Sequence, residues 1–237
     1  MSKKVKFMRY VVANLAIAFV AVGILSFTLL SGKSVAASAA GAPVYKGESK
    51  TKVSLMVNVY WGTEYIDEML DIFAKHNVTT TFFVGGMWVA EHDDVLKKIY
   101  DAGHEIGNHG YFHKDHKKLS AERNAEEISV THRLVKSVLG VDMNLFAPPS
   151  GSFGKTTLTQ AELLGYTTVM WTHDTIDWRD HDTKKIYERA TAKLEGGDLI
   201  LMHPTQNTVE ALDSIITYAE EHGLRVSKVG EVLVSDN

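Results

Sequence analysis

The chain has 237 residues, of which 45% are hydrophobic and 23% are charged, and its formal net charge is −4. This composition is typical of a globular protein, and the slightly acidic balance gives no reason to expect nucleic-acid binding. The absence of cysteine excludes disulfide bonds, thiolate metal sites and a cysteine nucleophile. A chain of this length can hold one large barrel domain or two small ones.

The N-terminal segment has the pattern of a secretory signal or a membrane anchor. Basic residues at positions 3, 4, 6 and 9 precede an apolar run from Val11 to Leu30. A helix of about 20 apolar residues is long enough to span a bilayer core of about 30 Å. The small residues before Pro43 suit a signal-peptidase site, whereas the length of the run favours an uncleaved anchor. We predict a signal peptide or anchor over residues 1–42, a linker over 43–52 and export of the remaining chain.

Residues 53–237 alternate between short apolar segments and longer segments with helical periodicity. Strands are predicted at Val53–Val59, Thr80–Val84, Glu105–Asn108, Leu145–Phe146, Thr167–Trp171, Leu199–Met202 and Leu224–Val226. Helices are predicted at Glu64–His76, Asp93–Ala102, Ser120–Leu139, Thr156–Leu164, Asp182–Leu194 and Val209–His222. The alternation favours a parallel sheet or barrel, and a doubly wound open sheet is the alternative from the pattern alone.

Two histidines follow the third predicted strand. His109 and His113 are separated by three residues, and Gly107 and Gly110 suit a chain that bends tightly beside a bound ion. Neutral imidazole is the commonest protein ligand for zinc-like metals. The spacing predicts a pair of metal ligands, although a polar surface gives the same pattern.

Five segments stand out along the chain: Thr79–Val84, Asn108–His113, Phe146–Gly151, Asp174–Trp178 and Leu199–His203. In this order they resemble the motifs of the polysaccharide deacetylases, also known as carbohydrate esterase family 4, which share the NodB-homology fold. The resemblance covers residues 50–235. It implies an α/β fold, an irregular (β/α) barrel with about seven parallel strands and its active site at their carboxyl ends.

The resemblance also implies roles for individual side chains. His109 and His113 match the family's metal ligands, and zinc is the expected metal. His203 matches the general acid that protonates the leaving amine, and Asp177 matches the carboxylate that orients it. Trp178 is expected to line the substrate pocket.

The first motif departs from the family's Thr-Phe-Asp-Asp-Gly, whose carboxylates are the base and the third metal ligand. Tyr60 and Trp61 stand before Gly62, and Ala147 replaces the arginine that pairs with the base. A buried guanidinium without its carboxylate is costly, so the two losses are physically coupled. The aromatic pair, together with Pro149, is expected to contact substrate, and filling of the emptied metal pocket is an equally open role for the pair.

Two carboxylates are candidates to replace those missing from the first motif. Asp174, which follows a strand and precedes the Asp177 motif, is a candidate catalytic base. Glu64 is the alternative, since it follows the first strand closely, and its other role is to complement a helix dipole.

Two functional hypotheses remain open, and deacetylation of a small molecule or a lipid-linked sugar is a remoter third. The first is a metal-dependent hydrolase that removes N-acetyl groups from an extracellular amino-sugar polymer such as peptidoglycan. The second is a non-catalytic envelope or sporulation protein that binds wall glycan on a deacetylase scaffold. Both imply a carbohydrate partner, membrane association through the N-terminal segment and no nucleic acid.

Overall fold

Parallel strands form the centre of the structure, a computed structural model that describes residues 41–236. The strands are β1 (Lys52–Val59), β2 (Thr81–Val84), β3 (Glu105–Asn108), β4 (Leu145–Phe146), β5 (Thr167–Thr168), β6 (His173–Asp174), β7 (Leu199–Met202) and β8 (Arg225–Val226). The helices are α1 (Ile66–Lys75), α2 (Gly86–Glu91), α3 (Asp93–Asp101), α4 (Ala121–Leu139), α5 (Lys155–Leu163), α6 (Thr183–Thr191), α7 (Gln206–Glu221) and α8 (Val229–Val232).

Seven strands form one curved sheet in the order β5-β4-β3-β2-β1-β7-β6, and β8 pairs with the start of β1. Every pairing is parallel. Within residues 41–236 no strand pairing joins β5 to β6, so the sheet is a half-barrel. The predicted seven parallel strands are confirmed, and the barrel is incomplete rather than closed.

The central strand β1 is buried on both faces because each face packs on a different layer. Val53, Leu55 and Val57 belong to the larger core cluster, which includes residues of α1 and α7. Met56 points the other way, into a smaller cluster that includes Phe83 of β2. Side chains alternate across a strand, so Asn58 lies on the same face as Met56, at the carboxyl end of β1.

Most predicted elements are present with shifted ends. The predicted strand 167–171 is shorter because only Thr167–Thr168 pairs with β4. Helix α7 begins three residues earlier than its apolar stripe, because the Thr205 hydroxyl accepts a hydrogen bond from Thr208 N. Three short elements, α2, β6 and α8, were not predicted, since segments of two to six residues carry too little periodicity.

The predicted signal peptide or anchor lies almost wholly outside the described residues. Within residues 41–236 no helix is long and apolar enough to cross a bilayer. The predicted linker, 43–52, contacts the barrel: Val44 N donates to Thr168 O at 2.9 Å, and Ser49 is buried. The boundary at residue 52 stays a prediction.

Candidate active site

A cavity of about 330 Å³ opens at the carboxyl ends of the parallel strands. Its position follows from topology, because all carboxyl ends of parallel strands meet at one edge. The cavity brings together predicted residues from four separate motifs. It is lined by Asn58, Trp61, His109, His113, Ser150, Trp171, Asp174, Trp178, Leu201 and His203.

His109 presents one free ring nitrogen. It follows β3, is only 2% exposed, and its Nδ1 donates to Ala147 O at 2.7 Å. The carbonyl can only accept, so the proton is on Nδ1 and Nε2 carries the lone pair. Burial, together with the nearby His113, lowers the pKa of His109 to about 3. The ring is therefore neutral at neutral pH, as a metal ligand or hydrogen-bond acceptor must be.

His113 lies beside His109, with ring centroids 5.1 Å apart. Its backbone is left-handed, with φ of 52°, and burial lowers its pKa below the usual value. The turn between the two histidines is held by Glu127 of α4, whose Oε2 accepts from Tyr111 N at 2.9 Å and from Phe112 N at 2.7 Å.

The sequence reasoning missed Glu127. The sequence feature that could have identified it is a polar residue on the buried face of a helix. One buried stripe of α4 consists of Asn124, Glu127, Ile128 and Thr131. A buried carboxylate needs hydrogen-bond donors or a cation, and here two backbone amides donate to Oε2 while the Arg123 guanidinium lies 3.7 Å from Oε1.

His203 and Asp177 form the predicted pair. Asp177 is fully buried, and its Oδ1 accepts from His203 Nδ1 at 2.7 Å. Asp177 Oδ2 accepts from His203 N at 2.6 Å and from Thr208 Oγ1 at 2.6 Å. These bonds fix the ring orientation and leave Nε2 of His203 unbound to the carboxylate.

Aromatic rings lie against the histidines in the region of the altered first motif. The Tyr60 ring lies 4.7 Å from His113 and the Trp61 ring stacks on His203 at 5.4 Å, with an interplanar angle of 19°. Trp61 is 46% exposed and lines the cavity. Tyr60 instead packs near Gly85 and is not part of the cavity lining.

Only one of the two candidate carboxylates reaches the cavity. Asp174 lines it, and its Oδ1 accepts from Ile176 N at 2.9 Å. Glu64 turns back on its own loop, where its Oε2 accepts from Thr63 N at 2.9 Å. Glu64 is therefore not placed to replace a carboxylate of the first motif.

The predicted aromatic and proline positions differ in their access to the cavity. Trp178 is 53% exposed and lines the cavity, as expected for a sugar-contacting residue. Pro149 is buried and contributes to the turn whose next residue, Ser150, faces the cavity. Ser150 lies within the predicted motif Phe146–Gly151 and Trp171 ends the predicted strand Thr167–Trp171, but neither was singled out as a site residue.

The donor set does not fit a three-ligand zinc centre. His109 and His113 supply two nitrogens, but within residues 41–236 no group of three or more His, Cys, Asp or Glu is placed to hold a metal ion. A catalytic zinc site normally has three protein ligands and an open position. Asn58 lines the same cavity with a buried Oδ1 that accepts no hydrogen bond, and a neutral amide does not replace a carboxylate.

Comparison with known proteins identifies the family of the chain. The family model for polysaccharide deacetylases matches residues 45–169. The chain is 30% identical over 195 residues to the Bacillus subtilis peptidoglycan-N-acetylmuramic acid deacetylase PdaA, a match that covers 80% of this chain and 74% of PdaA. The chain belongs to the polysaccharide deacetylase family. It is also 42% identical over 192 residues to the uncharacterised B. subtilis protein YlxY, and the match spans 81% of this chain but only 60% of YlxY.

Solved structures of this family include pseudoenzymes that resemble the chain. A pseudoenzyme of carbohydrate esterase family 4 from Bacillus anthracis superimposes with a TM-score of 0.80 at 39% identity, covering 83% of this chain and 70% of that one. A mutant of this pseudoenzyme with restored enzymatic activity superimposes equally well, at 38% identity, covering 83% and 73%. The chain is therefore a divergent member of the polysaccharide deacetylase family, and its first and third motifs are altered.

Proposed function

We propose that the chain binds cell-wall glycan in this cavity without removing acetyl groups from it. The observation that carries the proposal is the stacking of Trp61 on His203, at 5.4 Å between ring centroids. An aromatic ring at the general-acid histidine occupies space that attacking water and leaving group need.

The missing groups also argue against hydrolysis. An amide at neutral pH needs an activated water and a base to take its proton, and a positioned base contributes about 10²–10⁴-fold in rate. Tyr60 and Trp61 provide no carboxylate, and Ala147 provides no cation to pair with one. With two histidines alone, a metal ion is held too weakly for a reliable catalytic centre.

Features of the mouth support glycan binding. Trp61 and Trp178 are about half exposed and line the cavity, and aromatic faces are suited to stacking on pyranose rings. Relatives such as PdaA are named for peptidoglycan deacetylation. Peptidoglycan lies outside the cytoplasmic membrane, which agrees with the export predicted from the N-terminal segment.

One observation favours a second function, slow deacetylation. The Asp177–His203 pair keeps three short hydrogen bonds, which is the arrangement that the family's general acid needs. In that case Asp174, the carboxylate in the cavity lining, is the base.

One experiment separates the two functions. The full-length chain is mixed with purified peptidoglycan in the presence of zinc, and the bound protein and released acetate are measured together. We expect binding, with no acetate above the protein-free control. Trp178→Ala should weaken binding about tenfold, equivalent to about 1.4 kcal/mol, because it removes a half-exposed stacking surface.

Tyr100→Ala is the matched control. Tyr100 is an exposed aromatic of α3 and lies beside Glu105, at the opposite end of β3 from His109, so its loss should leave binding unchanged. Acetate released in excess of the protein would overturn the proposal and favour the slow enzyme. Equal losses for the two variants would show that the cavity does not hold the glycan.

A further inference from the structure

We propose that the cavity selects an amino sugar whose amine is free and positively charged, in preference to its N-acetylated form. This inference rests on the proposed glycan binding and names the ligand chemistry. An ammonium group donates three hydrogen bonds and accepts none, so its site must supply acceptors and no competing cation.

One histidine supplies an acceptor. His109 lines the cavity and uses Nδ1 to donate to Ala147 O. A neutral imidazole with its proton on Nδ1 has its lone pair on Nε2, so the nitrogen that His109 leaves for a ligand is an acceptor.

The charge of the residues that line the cavity also favours a cationic ligand. Asp174 is the one carboxylate among the described residues that line the cavity, and none of those residues is Lys or Arg. Its Oδ1 is used by Ile176 N, and no hydrogen bond within residues 41–236 engages Oδ2. Arg179, whose guanidinium lies 6.0 Å from the Trp178 ring, is outside the lining and pairs with Asp180 at 2.6 Å. This pair is the main cause of the raised pKa of Arg179, and Asp174 contributes a smaller electrostatic share.

An unsatisfied amide lies in the same wall. Asn58 is only 4% exposed and lines the cavity, yet its Oδ1 is buried and accepts no hydrogen bond. A buried polar atom without a partner costs free energy, and a donor from a ligand removes that cost. No hydrogen bond fixes the amide, so it is free to turn its oxygen toward an ammonium group.

The aromatic walls add to cation binding. Three of the four tryptophans, Trp61, Trp171 and Trp178, line the cavity. A cation over the face of an indole ring is stabilised by the ring quadrupole, and an acetamide lacks the charge for this interaction.

Tryptophan fluorescence gives a direct test, because most of the tryptophans report from the cavity. The full-length chain is titrated with glucosamine oligomers and with N-acetylglucosamine oligomers of equal length at neutral pH. We expect binding of the free-amine oligomer to be about tenfold tighter. Asp174→Asn should reduce the ratio of the two affinities to near one. Asp213→Asn, the same change on the exposed surface of α7, should leave the ratio unchanged.

Each outcome decides the inference. Tighter binding of the N-acetylated oligomer overturns it and leaves glycan binding standing, whereas no binding of either oligomer removes both. An equal change of the ratio in the Asp174 and Asp213 variants would show that bulk charge, not the cavity, attracts the amine. A third titration uses zinc alone: tight stoichiometric binding that displaces the free-amine oligomer would assign the acceptors to a metal ion and overturn the inference.

Discussion

At the scale of single residues, three changes in the active site belong together. Tyr60 and Trp61 replace two carboxylates, and Ala147 replaces the cation that pairs with one of them. Ala147 is fully buried, and only its backbone oxygen serves the site, by accepting from His109. An arginine there without a carboxylate would be a buried unpaired charge, so the alanine is the physically consistent partner of the aromatic pair.

The first prediction tests this coupling. Introducing Asp at both altered positions, Tyr60→Asp with Trp61→Asp, should create zinc binding, because carboxylates then join the two histidines. Ala147→Arg alone should destabilise the fold by several kcal/mol, and less when the Asp residues are present. The expected coupling is about 1–3 kcal/mol. Zinc content and the free energy of unfolding in denaturant are measured for the unchanged chain, the double-Asp variant, Ala147→Arg and their combination.

A further substitution controls the zinc result. His109→Ala in the double-Asp variant should abolish the gained zinc, since it removes a ligand without touching the new carboxylates. If Ala147→Arg costs the same with and without the Asp residues, Ala147 does not face the first motif and the assignment of that position is wrong.

At the scale of elements, a helix holds the turn that carries the histidines. Glu127 lies on the buried face of α4, and its carboxylate accepts from two consecutive backbone amides, those of Tyr111 and Phe112. Gly110 is left-handed, with φ of 72°, and an added Cβ would lie 2.9 Å from His116 Nε2. A helix side chain and a glycine therefore help to hold a turn that has no regular structure of its own.

The second prediction concerns Glu127→Gln. The glutamine amide replaces one carboxylate oxygen with an N–H donor. The substitution also removes the negative charge that strengthens the hydrogen bonds to two backbone amides. We expect a loss of about 1–3 kcal/mol in the free energy of unfolding. Chemical denaturation measures it. Glu126→Gln is the matched control. Glu126 is exposed and pairs with Arg123, which also lies 3.7 Å from Glu127, so this change keeps the contacts of Glu127 and should cost near zero.

At the scale of the whole molecule, the last residues of the described chain contact the segment directly before β1. Asp236 accepts hydrogen bonds from Lys50 N at 2.8 Å and Thr51 N at 3.1 Å. On the same side, Met170 N donates to Val44 O at 2.7 Å and Gly47 N donates to Gly197 O at 2.7 Å. The segment before β1 thus closes part of the gap between β5 and the later strands.

The third prediction follows from these contacts. Removing residues 1–42 should leave the thermal stability of the domain unchanged, whereas removing 1–51 should lower it strongly. The longer deletion removes the bonds of Val44, the buried Ser49 and the backbone partners of Asp236. Thermal unfolding of the two truncated chains and the full chain is compared. A stable 52–237 fragment would confirm the linker boundary predicted from the sequence.

The fourth prediction concerns acid stability. Burial lowers the pKa of His104 to about 4 and of His109 to about 3, and it also lowers the pKa values of His113 and His116. The unfolded chain therefore binds protons below its histidine pKa of about 6.5 while the folded chain does not. Stability should fall as the pH drops from about 7 to 5, by up to about 1.4 kcal/mol per pH unit for each group.

His173 contributes to the pH dependence of stability with the opposite sign. Its hydrogen bond to Asp198, at 3.1 Å, raises its pKa, so its contribution is full below about pH 6.5 and is lost as the pH rises through the raised value. The stability contribution of this one histidine does not offset the contributions of the four histidines whose pKa values are lowered. Unfolding in urea at several pH values measures the slope, and His104→Gln should make it shallower by about one proton. A stability that rises on acidification would contradict the assignment.

The sequence by itself determined the order of the longer elements and several of the residues that meet at the cavity. Short apolar runs and helical patterns located β1, β3, β7 and the longer helices, since these depend on local spacing and burial. The motifs located His109 and His203, which line the cavity, and Asp177, which bonds to His203, because strand ends in parallel sheets share one edge.

Only the tertiary structure decided what those residues do together. It showed that the barrel stays open, that Glu64 turns away, and that Trp61 covers His203 while Glu127 holds the turn. Each of these depends on contacts between segments distant in the chain, or on the rotamer that packing selects. A one-dimensional pattern records which residues follow a strand, but ring stacking and an unsatisfied amide arise only once separate strands are placed side by side.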